Sequence, residues 1–178
     1  MSDNKINFDK LMDYVRKNDV DSALLLMSDK LHFEYINNSD IMGYTALHQA
    51  CVISNSDTNM IELLLQSGAD PNVKSICLDW TPLHIVVQIK VGPISIEIVE
   101  LLLRYGADPN VKDTFKRTPV TFTGIRSDRK TMFSLLFRFG AEPIDEKTQI
   151  LKLEIDIESF VKTNKDLKQR IKMLELLA

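Results

Sequence analysis

A short phrase recurs along this chain at a nearly fixed interval. Residues 43–48 read Gly-Tyr-Thr-Ala-Leu-His, residues 79–84 read Asp-Trp-Thr-Pro-Leu-His, and residues 116–121 carry a worn copy, Lys-Arg-Thr-Pro-Val-Thr. Each copy leads into an apolar run that closes on Gly-Ala-Asp-Pro-Asn or a relative of it, at Gly68, Gly106 and Gly140. Thr45, Thr81 and Thr118 lie 36 and 37 residues apart, and the three glycines 38 and 34 apart. Self-similarity at such a period is the mark of stacked supersecondary units, none of which can bury its apolar face alone.

The copy from Asp79 to Asp113 shows the logic of one unit. Thr81 is a good N-cap and Pro82 suits the first helical position, where a missing N–H costs nothing. Leu83, Val86 and Val87 give this helix an apolar face. Lys90-Val91-Gly92-Pro93 breaks it, and a second helix is expected over Ile94 to Tyr105, with Ile98, Val99, Leu101, Leu102 and Leu103 mostly inward. Gly106 stops that helix in a left-handed conformation. Ala-Asp-Pro-Asn turns the chain out, and Val111 to Lys116 extends as a finger toward the next unit.

On these residues the chain resembles the ankyrin repeat over about residues 5 to 145, since two Thr-x-Leu-His boxes and three Gly-Ala-Asp/Glu closures recur in phase. The resemblance implies an all-α solenoid of stacked helix-turn-helix units with β-hairpin fingers, followed here by a C-terminal helix. The expected organisation is a degenerate capping repeat at 1–39, repeats at 40–75 and 76–112, a divergent repeat at 113–145, and an amphipathic helix at 146–178. The first unit lacks the box but keeps a helix at Leu11 to Arg16, a turn at Asn18-Asp19-Val20 and a helix at Ala23 to Met27. Ile36-Asn37 then stands at its finger base. The central units exceed the family period, and the surplus is placed between the two helices, at Ser54 to Asn59 and Lys90 to Ser95, where loop closure is cheap. Val120-Thr121 replaces Leu-His in the fourth unit, and Phe122, Phe133, Leu135, Leu136, Phe137 and Phe139 predict a bulkier, differently packed end.

Most other classes of function are excluded by what is missing. A formal net charge of −3 gives no field favouring nucleic acid or an acidic membrane. No run approaches a membrane-spanning length, and the polar start Met1-Ser-Asp-Asn-Lys holds no signal-peptide core. Cys51 and Cys77 form no metal-ligand pattern, so no metal or other cofactor is expected, and their usage fits a reducing compartment. The cytoplasm is the expected location, that of the host if the chain is viral. Phosphate loops and nucleophile elbows are absent, and Asp70 and Asp108 precede prolines in turns. His48 and His84 occupy the box, where the resemblance implies bonds to the threonine hydroxyl and nearby backbone. His32 stands beside Leu31 and Phe33 as a surface or core residue, and Cys51 falls at a buried small position. The chain therefore reads as a non-enzyme.

Function is expected on the fingers. Ile41, Met42 and Tyr44, then Cys77, Leu78 and Trp80, then Thr114, Phe115 and Arg117 sit at their tips, mostly apolar where exposed loops are usually polar. Trp, Tyr and Arg are enriched at interface hot spots, so these nine are the candidate partner-binding residues. The alternative is that Leu78, Trp80 and Phe115 fold down on neighbouring fingers. Val52, Ile53, Gln88 and Ile89, on the concave ends of the first helices, form a second tier. In its Asn, Ile, Lys and Asp content and its elongated units the chain also resembles ankyrin proteins of large DNA viruses, poxviruses especially, which implies interference with host signalling or host range.

Beyond the repeats, Ile150, Leu153, Ile157, Phe160, Asn164, Leu167, Ile171, Leu174 and Ala178 alternate in threes and fours as a heptad seam, with Asn164 able to fix register. That pattern suits a homodimer. Leu151, Val161 and Leu176 lie off the seam and widen the apolar face, which suits a helix capping the last repeat instead.

Overall fold

In the computed structural model, residues 2–28, 35–53, 58–89, 93–125 and 128–163 are described. The chain forms two compact units, Met1–Ala141 and Glu142–Ala178.

The first unit is built from helix pairs: α1 (Ser2–Lys17) with α2 (Val20–Met27), α3 (Ala46–Ile53) with α4 (Asn59–Gln66), α5 (Pro82–Ile89) with α6 (Pro93–Arg104), and a 3-10 helix (Pro119–Ile125) with α7 (Arg129–Arg138). Local chemistry places their ends. Asn18, at φ +53°, turns the chain between α1 and α2, and the Asp19 side chain then caps α2 by accepting from Ser22 N at 3.0 Å. Proline opens both α5 and α6. Pro93 is thus the first residue of its helix, which begins one residue earlier than the apolar pattern suggested and ends at Arg104 rather than Tyr105. Lys90, Val91, Gly92 and the turn residues 54–57 lie outside the described residues.

The second helices of the last three units end alike. Gly68, Gly106 and Gly140 take φ of +90°, +90° and +88°. The alanine after each donates back into the helix, Ala69 N to Leu64 O, Ala107 N to Leu102 O and Ala141 N to Leu136 O, each at 3.0 Å. These bonds satisfy carbonyls that a helix end leaves unpaired.

Packing follows two rows. The first helices pack in sequence, α1 on α3, α3 on α5, α5 on the 3-10 helix, and the second helices do likewise from α2 to α7. Leu11, Leu47, Leu64, Leu83, Ile98, Leu102 and Phe133 are fully or almost fully enclosed between the rows. Each such side chain contributes about 1.5–3 kcal/mol of burial. A second, polar seam joins the turns. Asn72 Nδ2 donates to Gly106 O at 2.9 Å while its Oδ1 accepts from Asp108 N at 2.8 Å. Asn37 makes the equivalent link in the preceding unit, accepting from Asp70 N at 2.8 Å, and Asn110 Nδ2 reaches Gly140 O at 2.9 Å in the following one.

The fourth helix pair differs from the two before it through a specific loss. Thr121 stands where the earlier units have histidine, and the segment winds as a 3-10 helix with Thr121 N bonded to Thr118 O at 2.9 Å. Val120, Thr121 and Thr123 are β-branched and Gly124 is flexible, which weakens the α form. The Thr118 hydroxyl, the counterpart of Thr45 and Thr81, is buried with no hydrogen-bond partner among the described residues. Phe133 and Phe137 stack at 5.5 Å in α7 and supply the bulk.

Among the described residues no strand forms, and the β-hairpin form expected of the fingers is not shown. The fingers are tight turns, closed by Asp40 N to Tyr44 O, Ser75 N to Trp80 O and Asp113 N to Arg117 O, with Gly43 N to Asp40 O, Asp79 N to Ser75 O and Lys116 N to Asp113 O inside them.

The second unit contains α8 (Glu146–Thr163). Thr148 N donates to Asp145 Oδ1 at 2.8 Å and Asp145 N donates to Thr148 Oγ1 at 3.0 Å, a reciprocal cap at the helix start. Ile150, Leu153, Ile157 and Phe160 are exposed along it, and Leu151 and Val161 are half-buried. Asn164, Leu167, Ile171, Leu174, Leu176 and Ala178 lie outside the described residues, as does His32.

Candidate protein-binding surface

The finger turns need left-handed residues at one position, and Gly43, Asp79 and Lys116 occupy it with φ of +79°, +55° and +60°. Gly43 has a second constraint. A β-carbon there would meet Ile76 N at 2.5 Å, because the second finger crosses directly over it. Side chains fix the turns from within. Asp40 Oδ1 accepts from Met42 N and Tyr44 N at 2.9 and 3.0 Å, and Asp113 Oδ1 accepts from Phe115 N and Arg117 N at 2.9 and 2.8 Å. Ser75 Oγ accepts from Trp80 N in the middle finger. Neighbouring fingers are tied by Ile76 N to Met42 O at 2.9 Å and Thr114 N to Leu78 O at 3.0 Å.

The box histidines hold this row onto the helices. His48 Nδ1 accepts from Thr45 N at 3.2 Å and faces Thr45 Oγ1 at 2.9 Å, while Nε2 lies 3.0 Å from Trp80 O in the next finger. His84 repeats the arrangement with Thr81 and with Arg117 O at 3.3 Å. A carbonyl only accepts, so Nε2 carries the hydrogen, and Nδ1, which accepts from the threonine amide, carries none, so each ring is neutral. Burial pushes both imidazoles below their ordinary value, outweighing the carbonyl bonds that favour the charged form.

A polar and aromatic cluster joins the second finger to the third. Asp113, its side chain fully buried, accepts at Oδ2 from Trp80 Nε1 at 3.2 Å and from the Arg117 guanidinium at 2.9 and 2.8 Å. Burial pushes this carboxyl up. The donors from Arg117, Trp80 and Phe115 together hold it below the ordinary carboxylate range. The Arg117 guanidinium also lies over the rings of Phe115 and Phe122, at 4.8 and 4.7 Å from their centroids. Phe122 meets Trp80 edge-on at 5.7 Å.

The nine expected contact residues therefore divide. Ile41, Met42, Cys77, Thr114 and Phe115 are exposed, Ile41 at 93% and Phe115 at 65%. Tyr44, Leu78, Trp80 and Arg117 are half-buried, and for Trp80 and Arg117 the reason is the Asp113 cluster. In the second tier Val52, Gln88 and Ile89 are exposed and Ile53 is half-buried.

Three features escaped sequence reasoning. Ile76, 69% exposed, belongs to the apolar row. The second finger runs from Ser75 to Trp80, one residue longer than Asp40 to Tyr44 or Asp113 to Arg117. That surplus was legible, since Gly68 to Thr81 spans 13 residues and Gly106 to Thr118 spans 12. The organising role of Asp113 had a partial signal in the repeat, since Asp40 stands at the same place in the first finger, though Ser75 does in the second.

Among the described residues no group of His, Cys, Asp and Glu could hold a metal ion, and no helix is long and apolar enough to cross a membrane. A family model described as ankyrin repeats matches the chain in three copies, over residues 11–113 and 52–149. No curated protein matches it.

Proposed function

The chain belongs to the ankyrin-repeat family, whose repeats generally serve as protein–protein interaction modules, and on that premise we propose that it binds a partner protein along its fingers and the adjoining concave helical face, without catalysis. The exposed apolar row of Ile41, Met42, Ile76 and Phe115 carries the reading. A row of large apolar side chains on turns held by side-chain and inter-finger bonds presents a surface already ordered, which lowers the entropy cost of association. Val52, Gln88 and Ile89 extend it. The resemblance to viral ankyrin proteins supports the narrower reading of a modulator of host signalling or host range, acting in the host cytoplasm.

Affinity capture tests this. The native chain is compared with an Ile41→Asp/Phe115→Asp variant, both checked for folding by circular dichroism. Leu24→Asp/Leu25→Asp, exposed on α2, serves as the control surface. A partner retained by the native chain and the control, and lost by the finger variant, is the expected result. Retention by all three removes the finger reading.

A second reading, homodimerisation through α8, is favoured by the exposure of Ile150, Leu153, Ile157 and Phe160 at seam spacing. Sedimentation velocity over a hundredfold concentration range then shows a dimer that Ile157→Asp dissociates. A monomer throughout ends that reading.

A further inference from the structure

Helix α8 has two apolar sides. Along one, Thr148 is buried and Leu151 and Ile155 are half-buried. Ile150, Leu153, Ile157 and Phe160 fall on the opposite side by helical periodicity and are 51%, 52%, 62% and 60% exposed. Whatever shields the first side leaves this seam open to solvent.

Charge at the flanks of the seam selects what covers it, because flank residues meet across a coiled coil and set partner and orientation. Within α8 the charged flank residues are Lys147, Glu154 and Asp156, all exposed. Residues 164–178 lie outside the described residues. Their sequence continues the seam at Asn164, Leu167, Ile171 and Leu174, with Lys168, Arg170 and Glu175 at its flanks. Two antiparallel copies can be set with Ile150 beside Leu174 and Ile157 beside Leu167. Lys147 then faces Glu175, Glu154 faces Lys168 and Asp156 faces Arg170. Every charged flank residue meets an opposite charge, and the twofold axis repeats each pair. A parallel pair brings only Arg170 to Glu175 and leaves the other four without an opposite. Two copies of α8 alone, antiparallel about its own centre, set Glu154 against Glu154 and Asp156 against Asp156. Asn164 is the one preference on the other side: it meets itself in a parallel pair and Phe160 of the second copy in the antiparallel one. Length agrees as well, since a helix over residues 164–178 runs about 22 Å and the seam from Ile150 to Phe160 about 15 Å.

We infer that the exposed seam of α8 is covered by residues 164–178 of a second copy of this chain, running antiparallel as a helix. This rests on the homodimer reading above and gives it an orientation and a closing segment. Flank charges of this kind act mainly on partner choice, and salt screens them.

The test uses the full chain and charge reversals at the flanks, read by sedimentation velocity, with circular dichroism to check that each variant folds. Glu154→Lys/Asp156→Lys alone sets like charges together in the antiparallel dimer, and so does Lys168→Glu/Arg170→Glu alone. Each is expected to raise the dimer dissociation constant at least about tenfold at low salt, with the effect shrinking as salt rises. An equimolar mixture of the two variants sets opposite charges together again and is expected to dimerise as the native chain does. A native chain that stays monomeric removes the homodimer reading and this inference with it. A native dimer unmoved by Glu154→Lys/Asp156→Lys, or a mixture that associates no tighter than its parts, leaves the dimer standing and removes the antiparallel arrangement.

Discussion

Asp113→Ala is expected to lower the unfolding free energy by about 3 kcal/mol, measured by chemical denaturation at neutral pH. The side chain is fully buried and receives five N–H donors, two from the backbone of its own turn and three from Trp80 and Arg117. Removing a buried acceptor leaves its donors unpaired, which costs more than the bonds contribute when made. Arg117 is 37% exposed at its side chain and regains water, so the loss falls at the low end for a broken buried pair. Asp113→Asn keeps one acceptor and turns an NH2 toward donors, and its cost is expected to be about 2 kcal/mol. Loosening of Phe115 and Arg117 should follow, seen as faster amide exchange at the third finger with the helices protected. A loss below about 0.5 kcal/mol for the alanine variant would show that the cluster does not organise the fingers.

The second large effect is a loss of stability on mild acidification, governed by His48 and His84. Both imidazoles lie below their ordinary value in the folded chain, chiefly through burial. As pH falls through about 6.5 the unfolded chain takes up protons that the folded chain refuses. Each histidine therefore contributes stability that is complete above that pH and lost as pH falls toward its folded value. The slope is at most about 1.4 kcal/mol per pH unit for each ring. The geometry gives the same sign: a proton on Nδ1 would point at Thr45 N–H or Thr81 N–H, a donor facing a donor. Asp113 is also depressed, but its contribution is lost only below the ordinary carboxylate range, so the two windows separate. Denaturation midpoints at several pH values between 7.5 and 5 should fall, and His48→Gln/His84→Gln should flatten the profile while lowering stability at pH 7.5. A flat profile in the native chain would sink the argument. Thr45→Val and Thr118→Val form a matched pair for the same network. The first removes a hydroxyl bonded to His48 and should cost about 1 kcal/mol, whereas the second removes a buried hydroxyl with no partner among the described residues and should cost nothing or stabilise.

These effects mark where sequence stops being informative. The positions of the helices were legible because each boundary is a local matter: Pro82 at a first turn, Gly68, Gly106 and Gly140 where φ is positive, alternating apolar faces between them. The divergence of the fourth unit was legible too, since Thr121 cannot offer what His48 and His84 do. The finger tips were legible only as a list. Their apolar character is written in the chain, yet Phe115 is exposed while Trp80, equally apolar, is half-buried. Nothing local separates the two.

The sequence by itself determined the repeat, the order of the helices and the residues that end them, because caps, turns and periodicity act within a few residues. Only the tertiary structure decided which finger residues face solvent. That choice depends on contacts between units: Trp80 bends to a carboxylate 33 positions away, His48 reaches the carbonyl of Trp80, and Ile76 lies across Gly43. Burial of a finger side chain is a property of two neighbouring turns at once, and the second turn is a whole repeat further along the chain.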